Sequence, residues 1–218
     1  MAPTDLRFDS FTSTAATRKA LALARATAAG GVGAPRLLFL QGAAGAGKTH
    51  LLRAIVGQVR HERPGLRLVQ ATGKEMVEDL VAALRQGHGG GDPLEWQGAA
   101  LIALDDLHVL ADLEMVQREV ARWLRGVVEA GTRVVCAAGC PLSDLGILVA
   151  ALWNLRGFAF ARVKRASDRD LRQILARTAG AEGVRPDGRT LSALAASAGG
   201  DVRRALGALA RHRFARSL

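Results

Sequence analysis

Gly42-Ala43-Ala44-Gly45-Ala46-Gly47-Lys48-Thr49 is the stretch that decides how this 218-residue chain is read. It has the form G-x-x-x-x-G-K-T and stands between an apolar run, Leu37-Leu38-Phe39-Leu40, and an apolar-periodic stretch from His50 onward. Glycine-rich backbone curls tightly enough to turn successive N–H groups toward one phosphate. A helix that begins where the loop ends adds further free N–H groups and the positive end of its dipole. In that arrangement Gly42 to His50 cradle a nucleoside triphosphate, Lys48 reaches the β and γ phosphates, and the Thr49 hydroxyl holds Mg²⁺.

A second stretch belongs to the same chemistry. Leu101-Ile102-Ala103-Leu104 is an apolar run that ends in Asp105-Asp106. A strand buried on both faces of a parallel sheet delivers its last side chains to the carboxyl edge, where ligands of α/β sheets bind. Asp105 is expected in the Mg²⁺ shell and Asp106 beside the attacking water.

Strand and helix patterns alternate along the first two thirds of the chain. Strands are expected at Leu37–Leu40, Leu68–Ala71, Leu101–Leu104 and Arg133–Ala138; helices at Thr14–Ala29, from Thr49 to about Val59, at Lys74–Arg85 and at Glu114–Glu129. That alternation predicts a three-layer α/β fold on a parallel sheet. Beyond about residue 165 the pattern turns helical, with starts at Ser167-Asp168, Arg185-Pro186-Asp187 and Gly199-Gly200-Asp201, where Ser167 and Asp201 have the chemistry of N-caps. His88 lies in a Gly-rich stretch, His88 to Pro93, and is expected to be solvated.

Composition narrows the class further. The longest nearly unbroken apolar stretch, Leu145 to Trp153, is far short of the roughly 20 residues that span a bilayer, and the N-terminus has no signal-peptide core. The cytoplasm is therefore the expected compartment. Cys136 and Cys140 have no cysteine or histidine cluster at ligand spacing, so both are expected reduced. Net charge is +10, and it is uneven: residues 1–155 carry 16 basic and 15 acidic side chains, residues 156–218 carry 14 and 5. The basic C-terminal quarter suits phosphates, non-specific nucleic acid or an acidic partner surface.

Taken together, these residues resemble the AAA+ ATPase core of the bacterial replication initiator DnaA and of its shorter relative Hda. The likeness is carried by Gly47-Lys48-Thr49-His50-Leu51-Leu52, by the aromatic pair Phe8 and Phe11, by Ala71 to Arg85, and by Leu101 to Pro141 with Leu104-Asp105-Asp106-Leu107 and Glu129-Ala130-Gly131. The resemblance implies a P-loop NTPase fold of the AAA+ class over residues 1–164 and a small all-helical C-terminal lid over 165–218. It implies a slow Mg²⁺-dependent ATPase that binds ATP or ADP and docks on another AAA+ subunit, an initiator or a second copy of itself, in the control of replication initiation. Arg203, in Asp201-Val202-Arg203-Arg204, takes the place of the lid arginine that touches the nucleotide phosphates. Arg156, in Asn154-Leu155-Arg156-Gly157-Phe158, is the candidate for an arginine acting in trans on a neighbour's nucleotide.

The chain also departs from that pattern. Where the family places a polar residue at the end of the fourth strand, Ala137-Ala138-Gly139 stand, so water positioning should suffer. The sequence ends at Leu218 after the lid, and a DNA-reading helix-turn-helix domain and a helicase-contact domain are expected to be missing. No sliding-clamp motif is visible in Met1 to Phe11. Two alternative functions share the motifs: a helicase loader or transposition helper that binds single-stranded DNA, and a nucleotide-sensing scaffold without meaningful turnover.

Overall fold

The computed structural model describes residues 6–85, 96 and 98–215, so His88 lies outside the described residues. Five strands form one sheet: β1 (Leu37–Gln41), β2 (Leu68–Thr72), β3 (Leu101–Asp105), β4 (Arg133–Ala138) and β5 (Phe158–Arg162). Their order is β2-β3-β4-β1-β5, and every pairing is parallel. Four of them coincide with expected strands. β5 was not expected, and neither was α5 (Gly146–Trp153), which leads into it.

The central strands are apolar almost without interruption because both faces of the sheet are covered. Leu37, Phe39, Ile102, Leu104, Val134 and Cys136 face one core, filled by α3 (Gly73–Arg85), α4 (Glu114–Glu129) and α5. Their alternates, Leu38, Leu40, Ala103, Val135 and Ala137, face the other, filled by α1 (Arg18–Ala29), α2 (Lys48–Glu62) and the rings of Phe8 and Phe11. This is the three-layer architecture that the alternation predicted.

α1 starts four residues later than the composition suggested. The Thr17 hydroxyl accepts from the Thr14 backbone N–H at 3.1 Å, and Thr17 N–H reaches Thr14 O at 3.1 Å, so these hydroxyl side chains hold a turn ahead of the helix.

Residues past β5 build a separate apolar cluster from α6 (Asp168–Ala181), α7 (Gly188–Ala198) and α8 (Val202–Ala215). Each start has its cap. Ser167 and Asp170 exchange side-chain and backbone hydrogen bonds in a capping box, Asp187 accepts from Thr190 N–H at 2.7 Å, and Asp201 accepts from Arg204 N–H at 3.1 Å. No helix among the described residues is long and apolar enough to cross a membrane.

Candidate functional site

Gly42 to Thr49 connect the carboxyl end of β1 to α2, and the local geometry explains the glycines. A Cβ on Gly42 would overlap the Val163 carbonyl, and Gly45 and Gly47 have φ of +73° and +105°, in the left-handed region. Lys48 opens α2, and its Nζ donates to the loop's own carbonyls, Gly42 O at 2.7 Å and Ala43 O at 3.1 Å. Burial pulls its pKa below the ordinary lysine value, and Arg203 adds to that; Asp105 and Asp106 pull the other way.

The carboxylates arrive from β3, two strands away from β1 with β4 between them. Asp105 is buried at the strand's end, and its Oδ1 accepts from Asp106 N–H at 2.9 Å. Asp106 has φ +55°, an uncommon conformation for a residue with a side chain and one that strains the backbone. His108 follows on a single 3₁₀ turn, Leu107–Leu110, with Nδ1 3.7 Å from Asp106 Oδ1.

The lid closes the arrangement. Val202 N–H donates to Gly45 O at 3.1 Å, the Asp201 carboxylate lies against Gly45, and Arg203 stands in the first turn of α8. Ala44, Gly45, Gly47, Lys48, Thr49, Asp106, His108, Gly139 and Arg203 line one cleft of about 760 Å³. Beside it, sharing Gly47, His50 and Leu206, a cleft of about 650 Å³ opens between the N-terminal segment, with Phe11, and the lid, with Ile174 and Thr178. That second cleft was not foreseen from the sequence. Phe11, one of the aromatic pair noted in the sequence, lines it.

His50 makes most of its contacts away from the loop: Nε2 lies 2.9 Å from Arg7 O and 3.2 Å from Ser10 Oγ, and Phe11 meets the ring edge-on. It ties the N-terminal segment to α2, and burial lowers its pKa.

Arg156 lies elsewhere. It precedes β5, at the amino edge of the sheet, and with Arg36, Arg125 and Arg133 lines a cleft of about 1000 Å³. Arg36 N–H donates to Gly157 O at 2.9 Å and Val134 N–H donates to Arg36 O at 2.8 Å, so Arg36, Arg133 and Arg156 stand at the starts of neighbouring strands, with Arg125 coming from α4. Burial and the charges of Arg63 and Arg36 hold the Arg133 pKa below its usual value. The structure therefore brings the phosphate loop, both carboxylates and Arg203 together and leaves Arg156 at the far edge.

Cys136 is buried and free, as expected; Cys140 is free and partly buried. Among the described residues no group of three or more His, Cys, Asp and Glu could hold a metal ion.

A parallel five-stranded sheet in this order, a glycine-cradled phosphate loop and a helical lid define an AAA+ P-loop NTPase. The family model of the bacterial DnaA ATPase domain matches residues 3–152, and the chain belongs to that family. The chromosomal replication initiator protein DnaA of Caulobacter sp. (strain K31) is 33% identical over 128 residues, 59% of this chain and 26% of that protein. The chain thus spans about a quarter of the length of that relative. Domain III of the Thermotoga maritima replication initiation protein DnaA superimposes with TM-score 0.79 at 22% identity, over 94% of this chain and 86% of that one. A replication initiator DnaA bound to AMPPCP and single-stranded DNA gives TM-score 0.81 at 16% identity, over 97% and 65%.

Proposed function

We propose that this DnaA-type ATPase domain binds Mg²⁺-ATP, hydrolyses it slowly, and uses the bound nucleotide to set its contacts with another AAA+ subunit in the control of replication initiation. The observation that carries this reading is the convergence of the phosphate loop, Asp106 and the lid's Arg203 on one cleft. Loop N–H groups, the α2 dipole and Lys48 hold the phosphates. The adjoining cleft between Phe11 and the lid takes the adenosine, and its size and apolar walls fit a base and sugar.

The donor set fits Mg²⁺, which is ordinarily held by one or two protein oxygens together with substrate phosphates. Thr49 and Asp105 are the residues to hold it, and the ion would supply charge neutralisation on the transferring phosphoryl group. Asp106 orients the attacking water. The bare end of β4, Ala137-Ala138-Gly139, contributes no polar side chain, so turnover is expected below the roughly 1 s⁻¹ lower end of common enzyme rates. A full AAA+ assembly would add Arg156, which faces away from its own phosphate loop and fits the role of a residue acting on a neighbour's nucleotide. Residues 165–218 act as the lid that reads the nucleotide.

Calorimetry with ATP tests the site: Lys48→Ala should lower affinity at least about tenfold, close to 1.4 kcal/mol, because its charge-assisted phosphate contact has no neighbouring lysine to replace it. Unchanged affinity in a folded variant would refute the assignment.

A further inference from the structure

Gly139 directly follows β4, between the phosphate loop on one side and the β3 carboxylates on the other. A side chain built there would begin 3.6 Å from His108 Nδ1 and 3.9 Å from Lys48 Nζ, so both polar groups reach into the space a β4 residue would otherwise fill. Ala138 cannot fill it, because it is fully buried in the core beneath the sheet.

The backbone sets where His108 stands, while its side chain is about half exposed. The 3₁₀ turn that carries it is pinned on both sides by Leu107 and Leu110, which are fully buried. Its Nδ1 lies 3.7 Å from Asp106 Oδ1, too far for a direct hydrogen bond and close enough for one water to bridge. Asp106 is aimed by a backbone conformation that the fold must enforce against strain. His108, Asp106, Thr49 and Lys48 all line the same cleft.

We infer that His108 is a further catalytic residue, supplying from the β3 side the polar group that the end of β4 lacks, and holding the attacking water between its ring nitrogen and the Asp106 carboxylate. The inference rests on the hydrolysis reading above. In the step it serves, the water oxygen bonds to the γ-phosphorus as the bond to the β,γ-bridging oxygen breaks, and that electron pair leaves on ADP. The water's proton passes to the Asp106 carboxylate and from there to solvent. His108 and Asp106 fix the water in line, so their effect falls on the chemical step and not on binding.

Four proteins decide this under single-turnover conditions with Mg²⁺-ATP: wild type, His108→Ala, His108→Gln, and His108→Ala combined with Gly139→Asn. The second site accepts Asn because its nearest neighbours lie at ordinary contact distance and its φ is not positive. His108→Ala should slow hydrolysis at least about tenfold while ATP affinity stays within about twofold. His108→Gln should keep a larger part of the rate, and Gly139→Asn should recover at least about threefold of what His108→Ala loses, because it returns a polar group from β4. A structural role for His108 would lower stability or affinity instead, and an amide on β4 would restore neither. A rate within about twofold of wild type in His108→Ala, or a loss that neither amide restores, overturns the inference while leaving the hydrolysis reading standing. A wild type that binds ATP and never converts it overturns the hydrolysis reading, and this inference with it.

Discussion

Gly45→Ala should unlatch the lid, and the size of the effect follows from three local terms. At φ +73° a side chain costs about 1–2 kcal/mol relative to glycine. The added methyl also overlaps the Asp201 carboxylate, and α8 relieves the overlap only by retreating and losing the Val202 N–H bond to Gly45 O, worth about 1 kcal/mol. The total is about 2–3 kcal/mol, or roughly 5–10 °C in the melting temperature of a chain this long. Asp201→Ala alone should cost about 1 kcal/mol, through the lost cap on Arg204 N–H. In the double variant the overlap disappears, so it should be no less stable than Gly45→Ala by itself, a coupling of about 1 kcal/mol. Gly57→Ala is the control, since α2 surrounds that position with open space, and it should stabilise by about 0.5–1 kcal/mol. Urea unfolding followed by far-ultraviolet circular dichroism measures all four. Losses at Gly45 and Asp201 that add to within about 0.5 kcal/mol would refute the contact.

Two further outcomes are expected. Arg203→Ala should keep the fold and most of the ATP affinity but erase any difference between ATP and ADP in capture of a partner AAA+ subunit, because a ligand shifts an equilibrium only through unequal contacts in its two states; capture that still distinguishes the nucleotides would contradict the lid reading. Burial pushes the Cys136 thiol well above its ordinary range, and burial with the nearby Asp144 charge also raises that of Cys140, which is only partly buried. Near pH 8 the native protein should therefore give slow labelling at Cys140 and none at Cys136 until it unfolds, as a mass-resolved thiol assay would show.

The parts of the site that lie close together in sequence were legible. A glycine's place in a turn and a carboxylate's place at a strand end are local properties, and Gly42 to Thr49 and Asp105-Asp106 needed nothing more. The lid caps were equally local. Ser167, Asp187 and Asp201 each bond a backbone N–H three residues on or in the same turn. What stayed hidden depends on packing. β5 alternates Phe158-Ala159-Phe160-Ala161, a short signal, and it is a strand because β1 pairs with it along its whole length. α5 is apolar on all sides, so no stripe marks it as a helix. The cleft beside His50 is assembled from the N-terminal segment, α2, α6 and α8, and no spacing in the chain announces that meeting. The charge count assigned the basic character to residues 156–218, yet the arginine cleft draws Arg36, Arg125 and Arg133 from the first part of the chain.

Because every strand runs the same way, all five begin at one edge of the sheet and end at the other, and the two edges differ chemically. Phosphate loop and carboxylates stand at the finishing edge; Arg36, Arg133 and Arg156 stand at the starting edge. A row of copies joined edge to edge would have a direction, like a row of magnets. In an open row the first copy keeps a bare arginine edge and the last an uncovered nucleotide, so growth and arrest at the two ends are chemically different events. A copy lacking Arg156 but keeping Lys48 could then be accepted at one terminus and would block further addition there, while the opposite terminus stayed indifferent to it.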